Sequence, residues 1–158
     1  GIQGRVGRFH NVYGPLGSWN DGREKAPAAI CRKVATAAIT GNPEIEIWGD
    51  GEQTRSFTFI DDALEGVQRL TFSDYEEPLN IGSSEMVSIN QLVDVVEQIA
   101  GVHLKRKHIL DAPLGVRGRN SDNTRIRKVL DWEPSTPLAT GLERTYEWVH
   151  SQVASETT

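Results

Sequence analysis

A lysine crowded by charge just ahead of a proline is the first place in this sequence where chemistry could reside. Arg23-Glu24-Lys25-Ala26-Pro27 sets an amine close to a guanidinium. A cationic neighbour disfavours the charged form of a lysine and moves it toward a usable acid or base. The same residues also read as a solvated charge cluster in the first turn of a helix. A second cluster runs from Trp48 through Gly49-Asp50-Gly51 to Phe57. There a tight turn feeds a strand with Gln53 and Arg55 on one face, an arrangement suited to a base, ribose or phosphate edge. Its alternative is a hairpin with a surface arginine. The third cluster is Gly115-Val116-Arg117-Gly118-Arg119-Asn120-Ser121-Asp122-Asn123. Two arginines in a glycine-rich loop before a helix can clamp a diphosphate through bidentate contacts, or form a mobile basic loop.

Other chemistry-bearing types are scattered. His10, His103, His108, His150 and Cys31 show neither metal-ligand spacing nor a Ser-His-Asp pattern, and read as surface or core packing. No metal ligand is assigned. Gly1, Gly4 and Gly7 spell G-x-x-G-x-x-G, but a dinucleotide fingerprint needs its glycines after a strand and opening a helix. Residues 5–12 look like strand, so the pattern is read as coincidence and no cofactor-binding residue is assigned.

Composition sets the outer limits. The 158 residues suffice for one domain with a core, and 37% hydrophobic with 25% charged residues is ordinary for a soluble globular protein. A formal net charge of -5 with no Lys/Arg run argues against nucleic acid, so a bound anion must be held by a few placed cations. A single cysteine excludes an internal disulfide and fits a reducing compartment. Apolar runs are too short to span a bilayer and no signal peptide is visible, which makes the cytoplasm the default and a membrane partner unexpected. The chain opens at Gly1 without a start methionine and runs at once into strand-like sequence, which reads as the interior of a longer protein.

The elements that must position these clusters are predicted as follows. A strand over 6–12 stops at Tyr13-Gly14-Pro15, and 16–25 is a loop. Pro27 opens a helix with Ile30, Val34, Ala37 and Ala38 on its apolar face, ended by Gly41 and Pro43. Strands follow over 44–48 and 54–59. Asp61 caps a helix through Leu64, Val67, Gln68 and Thr71. After a strand over 78–81, Ser88-Ile89-Asn90-Gln91 is a capping box for a helix ending at Gly101. A strand over 105–109, a loop over 110–120, helices over 122–130 and 138–153, and a disordered tail complete the chain. There is no clean βαβ alternation, which points to a piece of a larger α/β protein.

Taken in order, the clusters resemble the extended short-chain dehydrogenase/reductase superfamily. Its nucleotide-sugar members share N-V-Y-G-P (Asn11 to Pro15), G-D-G-x-Q-T-R-x-F (Gly49 to Phe57), F-I-D-D (Phe59 to Asp62) and P-x-N-I-G (Pro78 to Gly82). Gly22-Arg23-Glu24-Lys25-Ala26-Pro27-Ala28-Ala29, Arg55-Ser56-Phe57-Thr58-Phe59-Ile60-Asp61 and the stretch Gly115 to Asn123 look like the GDP-mannose 3,5-epimerase family within it. The resemblance covers almost the whole chain. It implies an α/β fold, the C-terminal substrate-binding part of such an enzyme without the N-terminal NAD-binding Rossmann half. Residues 1–158 would form one domain, with 1–15 the last part of the Rossmann-type sheet and 16–158 the nucleotide-sugar-binding region.

The resemblance also implies roles. Lys25 matches the proton donor or acceptor at the epimerised carbons. Asn11 and Glu24 match residues lining the sugar and diphosphate. Lys33, Gln53 and Arg55 match residues reaching the GDP portion, and Arg119 matches an arginine gripping the phosphates. The implied activity is an isomerase converting GDP-D-mannose to GDP-L-galactose and GDP-L-gulose through a transient 4-keto sugar. Its implied cofactor is tightly bound NAD, and its implied assembly is a homodimer. Departures from the family pattern are the absent fingerprint and the absent Y-x-x-x-K: Tyr13, Tyr75 and Tyr146 are followed four residues on by Gly17, Leu79 and His150. Cys31 does not match the family's partner cysteine. The chain alone is therefore expected to be inactive, with apolar surface bare where a cofactor half would pack. Two alternatives remain: another nucleotide-sugar epimerase, dehydratase or decarboxylase of the superfamily, or a non-catalytic nucleotide-sugar-binding module.

Overall fold

The computed structural model describes residues 1–112 and 115–157. Pro113 and Leu114, in the segment read as a loop, and Thr158, in the tail read as disordered, lie outside the described residues.

The first expected strand is two. β1 (Gly7–Phe9) pairs in parallel with β6 (Leu79–Ile81), and β2 (Val12–Tyr13) pairs in parallel with β5 (Thr58–Phe59). The break falls at Asn11, whose φ of 41° lies in the left-handed region that asparagine tolerates best among non-glycine residues. Its Nδ2 donates to the Ser56 carbonyl at 3.0 Å, which fixes the kink. The expected strand over 54–59 is likewise broken at Phe57. β4 (Thr54–Ser56) lies between antiparallel β7 (Met86–Ser88) and parallel β9 (Gly118–Arg119), whereas β5 joins β2.

No β3–β4 hairpin forms. β3 (Glu44–Trp48) pairs instead with β8 (Lys105–Ile109) over its whole length. Gly49 and Gly51, at φ 75° and 76°, swing the chain away, and Asp50 Oδ1 accepts the Glu52 N–H at 2.9 Å.

The long helices start and stop where their caps predict. α1 (Ala26–Thr40) has Pro27 in its first turn and ends at Gly41, φ 73°. Its buried face is Ile30, Cys31, Val34, Ala35 and Ala37, while Ala38 is exposed, a shift of the expected stripe by one position. α3 (Ile89–Ala100) carries the complete capping box, with Ser88 and Gln91 bonding reciprocally. α5 (Leu138–Thr157) is longer than expected, and Thr157 Oγ1 still donates to the Val153 carbonyl at 2.8 Å. α4 (Thr124–Leu130) starts two residues late.

The expected Asp61 cap is replaced. α2 (Ile60–Thr71) is entered directly from Phe59, held by β5 pairing and buried in the core. Asp61 and Asp62 fall in the first turn, where their charge suits the positive helix end. Asp61 pairs with Arg144 at 2.7 Å, and Asp62 accepts the Thr136 N–H at 2.9 Å.

The main core gathers α1, α3 and α5 with Ile45, Ile47, Phe57 and Phe59 from the strands. Each fully buried aliphatic side chain there, such as Val34, Leu92 or Leu142, contributes about 1.5–3 kcal/mol. α5 approaches so closely at Gly141 that a Cβ would stand 2.8 Å from Phe59 Cδ2 and closer still to the Tyr13 hydroxyl. A smaller cluster, Leu70, Leu79, Ile81 and Ile126, seals β6 beneath α2 and α4. On the outer side of this unit Val6, Phe9, Leu64, Val67 and Phe72 are open, Phe72 at 82% exposure.

Candidate functional site

The cleft forms where the two bodies meet. Asn11, placed by the kink between β1 and β2, Lys25, Gln53 and Arg55 line one pocket of about 220 Å³, walled by Trp48, Phe57 and Ile89. A second pocket of about 390 Å³ shares Ala26, Trp48, Gln53 and Ile89 with the first and continues to Glu24, Arg32 and Lys33. The two are compartments of one trough along the start of α1.

Lys25 is the residue that helix physics explains least. It occupies the N-cap of α1 in extended geometry, with no side-chain cap bond. Ser, Thr, Asp or Asn at that place would accept a backbone N–H, which an ammonium cannot do. No acid follows in the first turn. A residue that breaks a local rule at the lip of a pocket is where a functional constraint is expected. The neighbouring guanidinium of Arg23 turns to Asp21 at 2.6 Å.

A second lysine, Lys33, lines the continuation of the trough. Burial first, then the Arg32 guanidinium, pushes its amine below the ordinary lysine value. Its Nζ donates to the Glu46 carbonyl at 2.7 Å. Burial works to raise the Glu24 carboxyl. Hydrogen bonds from the backbone and from Arg32, 3.1 Å from Oε1, outweigh it and hold the group below the usual range.

Two residues lining this trough carry a buried acceptor without a donor among the described residues, Glu24 at Oε2 and Gln53 at Oε1. The Gln53 amide is oriented by its own Nε2, which donates to the Trp48 carbonyl at 3.0 Å. Buried polar atoms left unpaired cost about 1–3 kcal/mol each, so a ligand bringing N–H or O–H groups would recover that cost.

Arg55 lies on β4, half-buried, with Nη1 donating to the Thr54 carbonyl at 2.6 Å. Gly115 passes over it, so near that a Cβ there would stand 3.3 Å from Nη2. Arg119 lies outside both pocket linings. It is the register partner of Arg55 on β9, and in a parallel pair such partners point to the same face. The two arginines thus leave neighbouring strands on one face of the sheet. The sequence linked the Gly115–Asn123 cluster to phosphate but did not show this pairing, since β9 was read as loop.

His10 is the residue that sequence reading missed. It adjoins Asn11, and burial first, then Arg119, lowers its imidazole below the ordinary histidine value. Its Cβ and ring Cγ crowd Gly82 together with the Cβ of Ser121. The only signal was its adjacency to N-V-Y-G-P. Trp48 and Ile89 were also missed as walls, being indistinguishable in sequence from core residues. Cys31 is fully buried and its thiol is pushed up to about 12 by burial, far from any nucleophilic role. Among the described residues no group of His, Cys, Asp and Glu side chains is arranged to hold a metal ion.

The literal glycine pattern opens no helix: Gly1 and Gly4 precede every element and Gly7 lies in β1. No helix is long and apolar enough to cross a membrane among the described residues.

The chain is 55% identical over 158 residues to GDP-mannose 3,5-epimerase 1 of Oryza sativa subsp. japonica, covering all of this chain and 40% of that protein. It is 54% identical over 156 residues to GDP-mannose 3,5-epimerase of Arabidopsis thaliana, covering 99% of this chain and 40% of that protein. UDP-glucuronic acid decarboxylase 5 of Arabidopsis thaliana is more distant, 31% identical over 142 residues, 90% of this chain and 40% of that protein. Among solved structures, UDP-glucose 4-epimerase of Thermotoga maritima with UDP-glucose superposes with a TM-score of 0.84 at 27% identity. The match covers 94% of this chain and 46% of that one. The chain thus spans less than half the length of these relatives. Residues 1–82 match the NAD dependent epimerase/dehydratase family, and with the α/β architecture this chain belongs to that family.

Proposed function

We propose that the chain is the nucleotide-sugar-binding part of a GDP-mannose 3,5-epimerase. The whole protein would convert GDP-D-mannose to GDP-L-galactose, with GDP-L-gulose as a second product. The observation carrying this reading is the convergence of Lys25, Asn11, Gln53 and Arg55 on one pocket. In this reading residues 1–15 close a Rossmann-type sheet and 16–158 hold the nucleotide sugar, all in one domain.

The chemistry accounts for the cast. A C–H bond at C3 or C5 of a hexose is not acidic until C4 is a ketone. NAD, for which the described residues offer no glycine-rich cradle and which belongs to other parts of the longer protein, supplies that oxidation and its reversal. With C4 oxidised, Lys25 takes or returns the proton at the adjacent carbon on one face of the ring. A second group outside this chain serves the other face. Asn11 and Glu24 position the sugar and diphosphate, and Arg119 grips the phosphates. Lys33, Gln53 and Arg55 reach the GDP portion, whose guanine N–H groups would satisfy the free Gln53 oxygen, while a sugar hydroxyl would satisfy the free Glu24 oxygen. The whole protein is read as a cytoplasmic homodimer. This chain alone turns over no substrate, having no Tyr-x-x-x-Lys to accept the C4 hydroxyl proton.

Calorimetry on the whole protein tests the assignment, with GDP-mannose expected to bind more tightly than UDP-glucuronate or dTDP-glucose. A preference for UDP-glucuronate would overturn it. Lys25→Met should keep GDP-mannose binding within a fewfold yet abolish solvent deuterium exchange into the hexose. Undiminished exchange would remove Lys25 from the chemistry.

A further inference from the structure

The side chains of most of the 17 Lys and Arg residues pair with a carboxylate or bond a carbonyl. With 22 Asp and Glu residues available, partners are not scarce. Five side chains have neither a salt bridge nor a hydrogen bond among the described residues, and they fall in two places. Lys25 lines the trough, and Arg119 is the β9 neighbour of Arg55. Arg8, Arg125 and Lys128 converge on a separate cavity of about 460 Å³, between the β1–β6 pair and α4.

Three elements supply this second cluster. Arg8 on β1 is the register partner of Asn80 on β6, so a guanidinium and a neutral amide share one face. Arg125 and Lys128 are three residues apart on α4 and therefore neighbours on its surface. Thr124 adds a hydroxyl. The one carboxylate in the lining, Asp122, is engaged by the Thr124 N–H at 2.9 Å. Against that one carboxylate, two guanidinium forks and an ammonium leave an excess of positive charge beside neutral donors, suited to a tetrahedral oxyanion. The volume exceeds what a bare phosphate fills and lies within the range of about 300–1,000 Å³ usual for small-ligand pockets.

We propose that this cavity is a second anion site, distinct from the nucleotide-sugar trough, which takes a phosphate group. The group is either free phosphate or the phosphate of a small monoester.

Amide-resolved NMR titration of the chain at constant ionic strength tests it, with inorganic phosphate and glucose 1-phosphate as separate probes. The expected result is saturable shifts at Asn80, Thr124 and Arg125. Tighter saturation by the ester would identify a monoester site, and equal or weaker saturation a free-phosphate site. Arg125→Gln with Lys128→Gln should weaken saturation at least about tenfold. Arg125→Lys should restore part of it, and Arg119→Gln, beside Arg55, should leave it unchanged. Arg8→Gln, on the other wall, gives an independent loss if the helical variants fold poorly. Shifts confined to the trough, shifts that rise linearly without saturating, or saturation indifferent to Arg8, Arg125 and Lys128 would overturn the site. None of these outcomes bears on whether the trough binds GDP-mannose.

Discussion

The helical core and the β1–β6 unit differ in how completely each encloses its apolar face. In the first, α1, α3 and α5 close around Leu92, Val93, Val96, Leu142 and Val149, all without exposure. In the second, four buried residues form the cluster, and the flank carrying Val6, Phe9, Leu64 and Val67 stays open. The trough lies at their seam, with Lys25 and Arg55 from the enclosed body and Asn11 from the other. The enclosed body thus carries Lys25, while Asn11, at the kink between β1 and β2, is the one lining residue that adjoins the partly open unit among the described residues.

The largest test of that contrast is Leu142→Ala, expected to cost about 3–5 kcal/mol in denaturant unfolding, because the surrounding helices cannot collapse into the void. Ile126→Ala in the smaller cluster should cost closer to about 2 kcal/mol, since α4 is short and can settle inward. Equal costs would erase the distinction. Ser88→Ala removes one half of the α3 capping box and should cost about 1 kcal/mol by the same measurement. Leu64→Lys with Val67→Glu should change stability by no more than about 0.5 kcal/mol while reducing self-association in sedimentation, since both residues are already exposed.

At the seam itself, pH gives the finest probe. His10 has a folded-state pKa below its unfolded value of 6.5. Its contribution is therefore whole above that value and is lost as pH falls through the lowered folded pKa. His10→Gln should flatten the acid limb of the stability curve between wild-type pH 7 and pH 5, roughly the interval in which histidines titrate. An unchanged limb would place the titrating group elsewhere.

Much of the enclosed body was legible because its signals are local. Pro27 and Gly41 bracket α1, and Ser88 with Gln91 opens α3, whatever lies beyond them. The short strands were not legible in the same way. Residues 86–88 and 118–119 become strands only because β4 lies between them, and no window of sequence contains that fact. The same reason hid the kink at Asn11 and the break at Phe57, where pairing partners switch. In the trough, Lys25, Gln53 and Arg55 could be singled out by type and spacing. The juxtaposition of Arg119 with Arg55, and of His10 with Arg119, required the sheet register.

Position 141 tolerates no side chain, although it lies on a helix remote from the trough. Any residue larger than glycine would wedge α5 off Tyr13, the residue two beyond Asn11, and so press on the strand that leads from the pocket without touching the pocket itself. A saturation library screened for ligand capture should therefore show a vertical bar of intolerance at 141. That bar would mimic a contact residue and yet mark only the fit between a helix and a strand.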